Sequence, residues 1–142
     1  MKKLFFLIPF LLFGGFGCNS NDKENSLSLD YEYFEERFIK WNELFEQKDE
    51  DYFTYIFSYT CGHCYEIKDD VLAFAYSNNN FYFVEFDKDI KVIDSSTIVI
   101  GKDNVDEIGI VGTPTLFLIR DHKIENDFIG SKQILEAIKN NT

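Results

Sequence analysis

Cys61, Gly62, His63 and Cys64 stand between an aromatic and β-branched run, residues 52–57, and a stretch with helical periodicity. Two cysteines so spaced at the start of a helix can close a small disulfide. The first of them sits where unpaired helix amides and the macrodipole favour a thiolate. Such a thiolate attacks a disulfide sulfur to give a mixed disulfide, which the second thiol then resolves. Cys61 is the expected nucleophile and Cys64 the expected resolving thiol. His63, a potential proton donor between them, would stabilise the reduced form and make the disulfide more oxidising. About 30 mV corresponds to roughly 1.4 kcal/mol for a two-electron couple, so one good charge interaction moves the poise. Zinc is the competing use of this spacing. A structural zinc site wants four ligands, and beyond the pair the chain offers His63, His122 and Cys18, so no metal is expected.

The elements that must position these residues follow from the apolar pattern. Tyr31, Phe34, Phe38, Trp41 and Phe45 recur at helical spacing and predict a first helix. Asp30 would cap it, with Glu32, Glu35 and Glu36 where the dipole favours acids. Residues 52–57 predict a strand buried on both faces, and 81–86 a second. Ile67, Val71 and Phe74 continue the helix that starts at the cysteines, as far as Ser77. The connection 88–104 predicts a small hairpin or strand, with a flap near the cysteines as the alternative. Residues 105–108 predict a helical turn closed by Gly109. A strand over 115–119, a turn at Asp121-His122 and a more polar edge strand over 123–129 come next. The last helix would be capped by Ser131, with Ile134, Leu135 and Ile138 facing inward.

Gly112-Thr113-Pro114-Thr115 leads into that third strand and holds the one proline outside the leader. The Cys-Gly-His-Cys element followed by Gly-Thr-Pro resembles the thioredoxin family, in the form seen in protein disulfide isomerases. The resemblance implies an α/β thioredoxin fold, a central mixed sheet of about four strands flanked by helices. The first family strand would be absent or reduced to residues 26–29. It also implies a thiol–disulfide oxidoreductase whose redox-active centre is a Cys61–Cys64 disulfide, with no other cofactor, inclined to oxidase or isomerase work. Pro114 would be cis and face the disulfide, keeping metals away, while the Thr113 backbone pairs with an extended substrate. Gly62 would relieve crowding beside them, which makes Gly62, Thr113 and Pro114 the expected substrate-binding residues.

Two departures stand against that pattern. Tyr59 and Thr60 precede the pair where many members have tryptophan. Tyr55 stands where the family usually holds a buried acid that moves the resolving cysteine's proton. A phenol with an ordinary pKa near 10 is a poor base at neutral pH, so water, Glu66 or another carboxylate would have to serve. A non-catalytic thioredoxin-like adaptor or secretion accessory is the alternative that this departure favours.

Met1-Lys2-Lys3 and the apolar run from Leu4 read as a leader over residues 1–17, short of the roughly 20 residues of a membrane span. Cys18, directly after Gly17, makes it resemble a bacterial lipoprotein signal, in which that cysteine becomes residue one and carries lipid. The implied location is the outer face of a bacterial cell membrane, with a secreted or periplasmic protein as the alternative. Residues 18–29 read as a lipid-anchored flexible tether and 30–142 as the folded domain. With Cys18 lipidated and Cys61 paired with Cys64, no odd thiol is left. One pair cannot scaffold a domain this long, which can bury its own core, so a chemical role is expected for it. Losing residues 1–17 removes two lysines and no acids, taking the formal charge from −11 to −13. That balance argues against nucleic acid and against polybasic docking to anionic lipid. The expected partners are exported protein thiols and disulfides, an unidentified redox partner that resets the pair, and the membrane through the lipid; the chain is expected to be a monomer.

Overall fold

The computed structural model describes residues 28–141, so the leader, Cys18 and tether positions 18–27 lie outside the described residues. Strands β1 (Asp51–Phe57), β2 (Phe81–Glu85), β3 (Thr115–Arg120) and β4 (Lys123–Ile129) form one mixed sheet in the order β2-β1-β3-β4. β1 runs parallel to β2 and antiparallel to β3, and β3 and β4 form a hairpin. Helices α1 (Gly62–Glu66), α2 (Lys68–Ser77) and α3 (Gly130–Asn140) accompany it. This is the thioredoxin fold.

β1 lies centrally because six of its seven residues are apolar or small enough to bury, and all six are buried. Alternation sends Phe53, Tyr55 and Phe57 to one face and Tyr52 and Ile56 to the other. The first face meets α1, α2 and α3 through Cys64, Ile67, Val71, Leu72, Phe74, Ile134 and Ile138. The second is covered without α-helix, by Trp41 and Leu44 and by Ile90, Val99, Ile108 and Ile110 from the long connection.

The expected first helix is not one helix. Tyr31–Arg37 is a 3-10 segment broken by non-helical φ and ψ at Phe34, and Trp41–Glu43 is a separate 3-10 turn. Between them the chain extends, because Phe38 bridges Phe83 in parallel and the Ile39 amide donates to the Phe83 carbonyl at 2.9 Å. That single bridge lies on the outer side of β2, so a strand remnant occurs at Phe38; of the expected stretch 26–29, positions 26 and 27 lie outside the described residues. The outer side of β4 is met by the long connection: Gly101 N–H donates to Ile124 O and Ile124 N–H to Lys102 O.

Residues 88–104 form neither hairpin nor regular strand. One bridge, Val92 to Ile110, ties them down, and they cover the second core face. A 3-10 turn at Val105–Glu107 is capped by Asn104. Gly109 does not end it in a left-handed conformation. A Cβ there would collide with the Lys91 carbonyl oxygen and the Ile93 side chain, so close approach is its reason. The β3–β4 turn does use left-handed backbone, with φ of 49° at Asp121 and 58° at His122. His122 Nδ1 lies 2.9 Å from the Phe45 carbonyl.

Candidate active site

β1 ends in a tight passage to α1 that sets the cysteines. The Ser58 carbonyl accepts from the Cys61 amide at 3.1 Å, and the Ser58 hydroxyl accepts from the Thr60 amide at 3.3 Å. Extended backbone at Cys61 makes it the N-cap of α1, and its sulfur accepts the Cys64 amide at 3.1 Å. A sulfur at that position takes the place of the usual capping oxygen and meets an otherwise orphaned helix donor, which favours negative charge on it. Cys61 and Cys64 are joined in a disulfide with their Cα atoms 5.2 Å apart. Cys61 is partly exposed, whereas Cys64 is only 2% exposed.

The Gly112–Thr115 loop meets the pair from β3. Its Thr113–Pro114 peptide is cis, and the Thr113 carbonyl oxygen lies 3.4 Å from Cys61 Sγ. Thr115 Oγ1 donates to the Gly112 carbonyl at 2.7 Å, and the Pro114 carbonyl accepts from the Gly130 amide at 2.9 Å. Pro114 is buried, while Gly112 and Thr113 keep partial access to solvent. Gly62 is exposed, with open space where a Cβ would stand, so it does not relieve crowding between the cysteines as its type suggests. The structure thus brings Cys61, Cys64, Gly62, Thr113 and Pro114 to one end of the sheet.

His63 points outward. Its side chain is 74% exposed and its Nδ1 sits 3.1 Å from Glu66 Oε2, itself well exposed. Glu66 therefore holds His63 on the solvent side while Cys64 is buried beneath. Ser131 does not cap α3, whose N-cap Ile129 has no side-chain cap. The Ser131 hydroxyl instead donates to the His63 carbonyl at 3.4 Å, tying the start of α3 to α1. His122 lies at the opposite end of the hairpin from the Gly112–Thr115 loop. Among the described residues no three His, Cys, Asp or Glu side chains converge as metal ligands.

Tyr55 is fully buried, stacked with Phe57 at 5.7 Å between ring centroids. Its hydroxyl has no hydrogen-bond partner among the described residues. Burial pushes the phenol well above its ordinary pKa, and the nearby Tyr31 pushes it further. The two hydroxyls interact without reaching good hydrogen-bond geometry. Tyr55 cannot act as a base near neutral pH.

Two residues that sequence reasoning did not place at the site are Tyr31 and Lys68. Both line a cleft of about 290 Å³ beside the disulfide, with Asp30, Ser58, Tyr59, Cys61, Cys64 and Tyr65. Lys68 Nζ lies 3.0 Å from Asp30 Oδ1 and 5.3 Å from the Tyr31 ring centroid. The Lys68 hydrogen bond, then the Tyr31 amide, hold the Asp30 carboxyl below the usual range. Asp30 does cap the first turn, as its type suggests, but the pairing to Lys68 spans 38 positions and left no local signal.

No family model matches the sequence, and no curated protein matches it. Solved structures with a similar course of backbone include a thioredoxin from Plasmodium falciparum, 13% identical, with 75% of this chain and 99% of that one covered and a TM-score of 0.48. Thioredoxin f from spinach chloroplast is 17% identical over 73% of this chain and 92% of that one, at a TM-score of 0.47. Mitochondrial thioredoxin 3 from Saccharomyces cerevisiae is 15% identical over 72% and 92%, at 0.46. The likeness is one of fold, and the chemistry rests on this chain's own residues.

Proposed function

We propose that the chain is a thiol–disulfide oxidoreductase that exchanges disulfides with exported proteins while anchored through lipid on Cys18 at the outer face of a bacterial cell membrane. The observation that carries the exchange reaction is the Cys61–Cys64 disulfide at the first turn of α1, with Cys61 partly exposed and its sulfur facing the Cys64 amide. In the reduced chain, the Cys61 thiolate attacks a substrate disulfide, forming a Cys61–substrate bond and releasing the other substrate sulfur as a thiolate. Cys64, deprotonated through solvent in the adjoining cleft, then attacks Cys61 Sγ. The second substrate thiolate leaves, and two electrons have passed from the pair to the substrate. Run backward, the same steps oxidise a substrate dithiol. In either direction a second dithiol or disulfide protein resets the pair.

Thr113 supplies backbone groups to an extended substrate, Pro114 and Gly62 keep the approach clear, and no cofactor beyond the disulfide takes part. His63 tunes the couple: from the exposed side of α1, where Glu66 shares its charge, an imidazolium would add positive potential to the turn that carries Cys61 and favour the dithiol form. The test is reduction of insulin and refolding of a scrambled substrate by the full chain. Cys61→Ser should abolish both, and Cys64→Ser should accumulate a mixed disulfide on Cys61. Turnover by Cys61→Ser would refute the assignment. Tyr55 favours the second reading, a thioredoxin-like adaptor, because a buried phenol cannot relay the Cys64 proton. An unmodified chain that holds the disulfide but turns over neither substrate would establish that reading.

A further inference from the structure

We propose that the groove running from the disulfide past Tyr59 to Glu32, Glu35 and Glu85 seats the substrate segment next to the reacting cysteine and selects segments that carry lysine or arginine. The inference rests on the exchange reaction proposed above and names the class of protein it acts on.

The groove is two clefts that share Tyr31 and Tyr59. The first, about 290 Å³, includes the two sulfur-bearing residues; the second, about 220 Å³, is lined further by Glu32, Glu35, Phe38 and Glu85. Its floor is rigid. Tyr31 stacks on Phe57 at 4.2 Å between centroids and meets Tyr59 edge-on at 5.5 Å. Tyr59 is held against Phe57 at 5.1 Å yet remains 61% exposed, standing between the clefts with an open ring. Tyr65, 80% exposed, stands at the disulfide end. Exposed aromatic faces leading to exposed carboxylates suit a long cationic side chain, whose stem covers the rings and whose head meets the acids.

Lys68 enters the first cleft, over the Tyr31 ring and paired to Asp30, and the Arg37 guanidinium turns to the carbonyls of Ala75 and Asn78 at 2.6 and 3.0 Å. Among the described residues no lysine or arginine lines the second cleft. Negative potential in the groove is also felt by Tyr59. Burial raises its phenol pKa, and the charges of Glu85, Asp30 and Glu32 raise it further, with Lys68 opposing. A larger cleft, about 580 Å³, lies between Trp41, Asp89 and Asp106, but neither cysteine lines it.

The experiment compares two disulfide-linked peptides that differ only in lysine against glutamate beside the cysteine, reacted with the reduced full chain at low salt. The lysine peptide should react roughly tenfold faster at low salt, from three exposed charge contacts that act together. In the Glu32→Gln, Glu35→Gln, Glu85→Gln variant that preference should fall below about twofold. It should survive in the Asp89→Asn, Asp103→Asn, Asp106→Asn variant, which has the same net charge. Equal rates for the two peptides, or equal loss in both variants, would overturn the groove. Tyr59→Ser gives a second reading of the same preference. A lysine peptide with serine for cysteine, titrated while the Tyr59 ring is followed by NMR, separates the two claims. Binding without exchange sinks the redox reading and keeps the groove, whereas exchange without binding or preference does the reverse.

Discussion

Tyr55→Phe tests whether the buried phenol takes any part in proton movement. The Tyr55 hydroxyl lies in an aromatic cluster with Phe57, Phe81 and Phe83 and has no hydrogen-bond partner among the described residues. A buried polar group left unsatisfied costs about 1–3 kcal/mol. Phenylalanine keeps the ring and its stacking, and removing one oxygen leaves a void too small for water. The exchange is expected to stabilise the fold by about 1 kcal/mol, the low end of that range, since the smaller side chain loses a few dispersion contacts. In a domain of about this size that raises the melting midpoint by roughly 4 °C or a little more. Insulin reduction should stay within about twofold of the unsubstituted rate, because a phenol pushed this far above its ordinary pKa transfers no proton near neutrality. Urea melts of the oxidised and reduced protein measure the first quantity and insulin turbidity the second. Destabilisation of about 1 kcal/mol or more would mean that the hydroxyl has a partner after all. A tenfold loss of rate with the fold intact would make Tyr55 the proton relay and refute the reasoning.

Gly109→Ala should destabilise by about 1–3 kcal/mol, because the new Cβ meets the Lys91 carbonyl and Ile93, while exchange kinetics stay unchanged; a urea midpoint within error of the parent would refute the close approach. Tyr31, Tyr52, Tyr55 and Tyr82 all hold their protons above the ordinary tyrosine pKa, mainly through burial, with Tyr52 and Tyr82 at about 12. Above about pH 10 the unfolded chain loses protons that the native chain keeps, so stability should fall as pH rises from there towards 12. Tyrosinate absorbance should show fewer ionised tyrosines in the folded than in the denatured protein across that window; coincident titrations would contradict it. Asp30 has the opposite sign. Its depressed pKa means that the Lys68 pair supports the fold above the ordinary carboxylate range, and that support is lost as pH falls below it. Carboxyl NMR should find the Asp30 pKa higher in Lys68→Met, and an unmoved titration would show that Lys68 is not the cause.

The strands were legible because residues 52–57, 81–86 and 115–119 are dense in aromatic and β-branched residues and bounded by turn formers. The cysteine pair was legible for a local reason too, since its spacing is that of one helical turn. The first helix misled. Its aromatic stripe fits helical spacing, but Phe38 and Ile39 bond to β2, and that long-range pairing overrides local periodicity. Ser131 misled in the same way, its hydroxyl going across to His63 O where α3 meets α1. The second cleft left no local signal: Glu32 and Glu35 stand at the start of the expected helix, where the dipole favours acids, Glu85 ends a strand, and only the fold brings them together.

Ile39 on β2 and Gly101 with Lys102 on β4 have one further consequence. Each rim is interrupted by backbone of the same chain, at Phe83 on β2 and at Ile124 on β4, which breaks the run of open donors and acceptors that a neighbouring copy would need to add a continuous strand. If the exchange reaction proposed above holds, an incoming polypeptide would find main-chain partners at Thr113, whose carbonyl oxygen lies 3.4 Å from Cys61 Sγ.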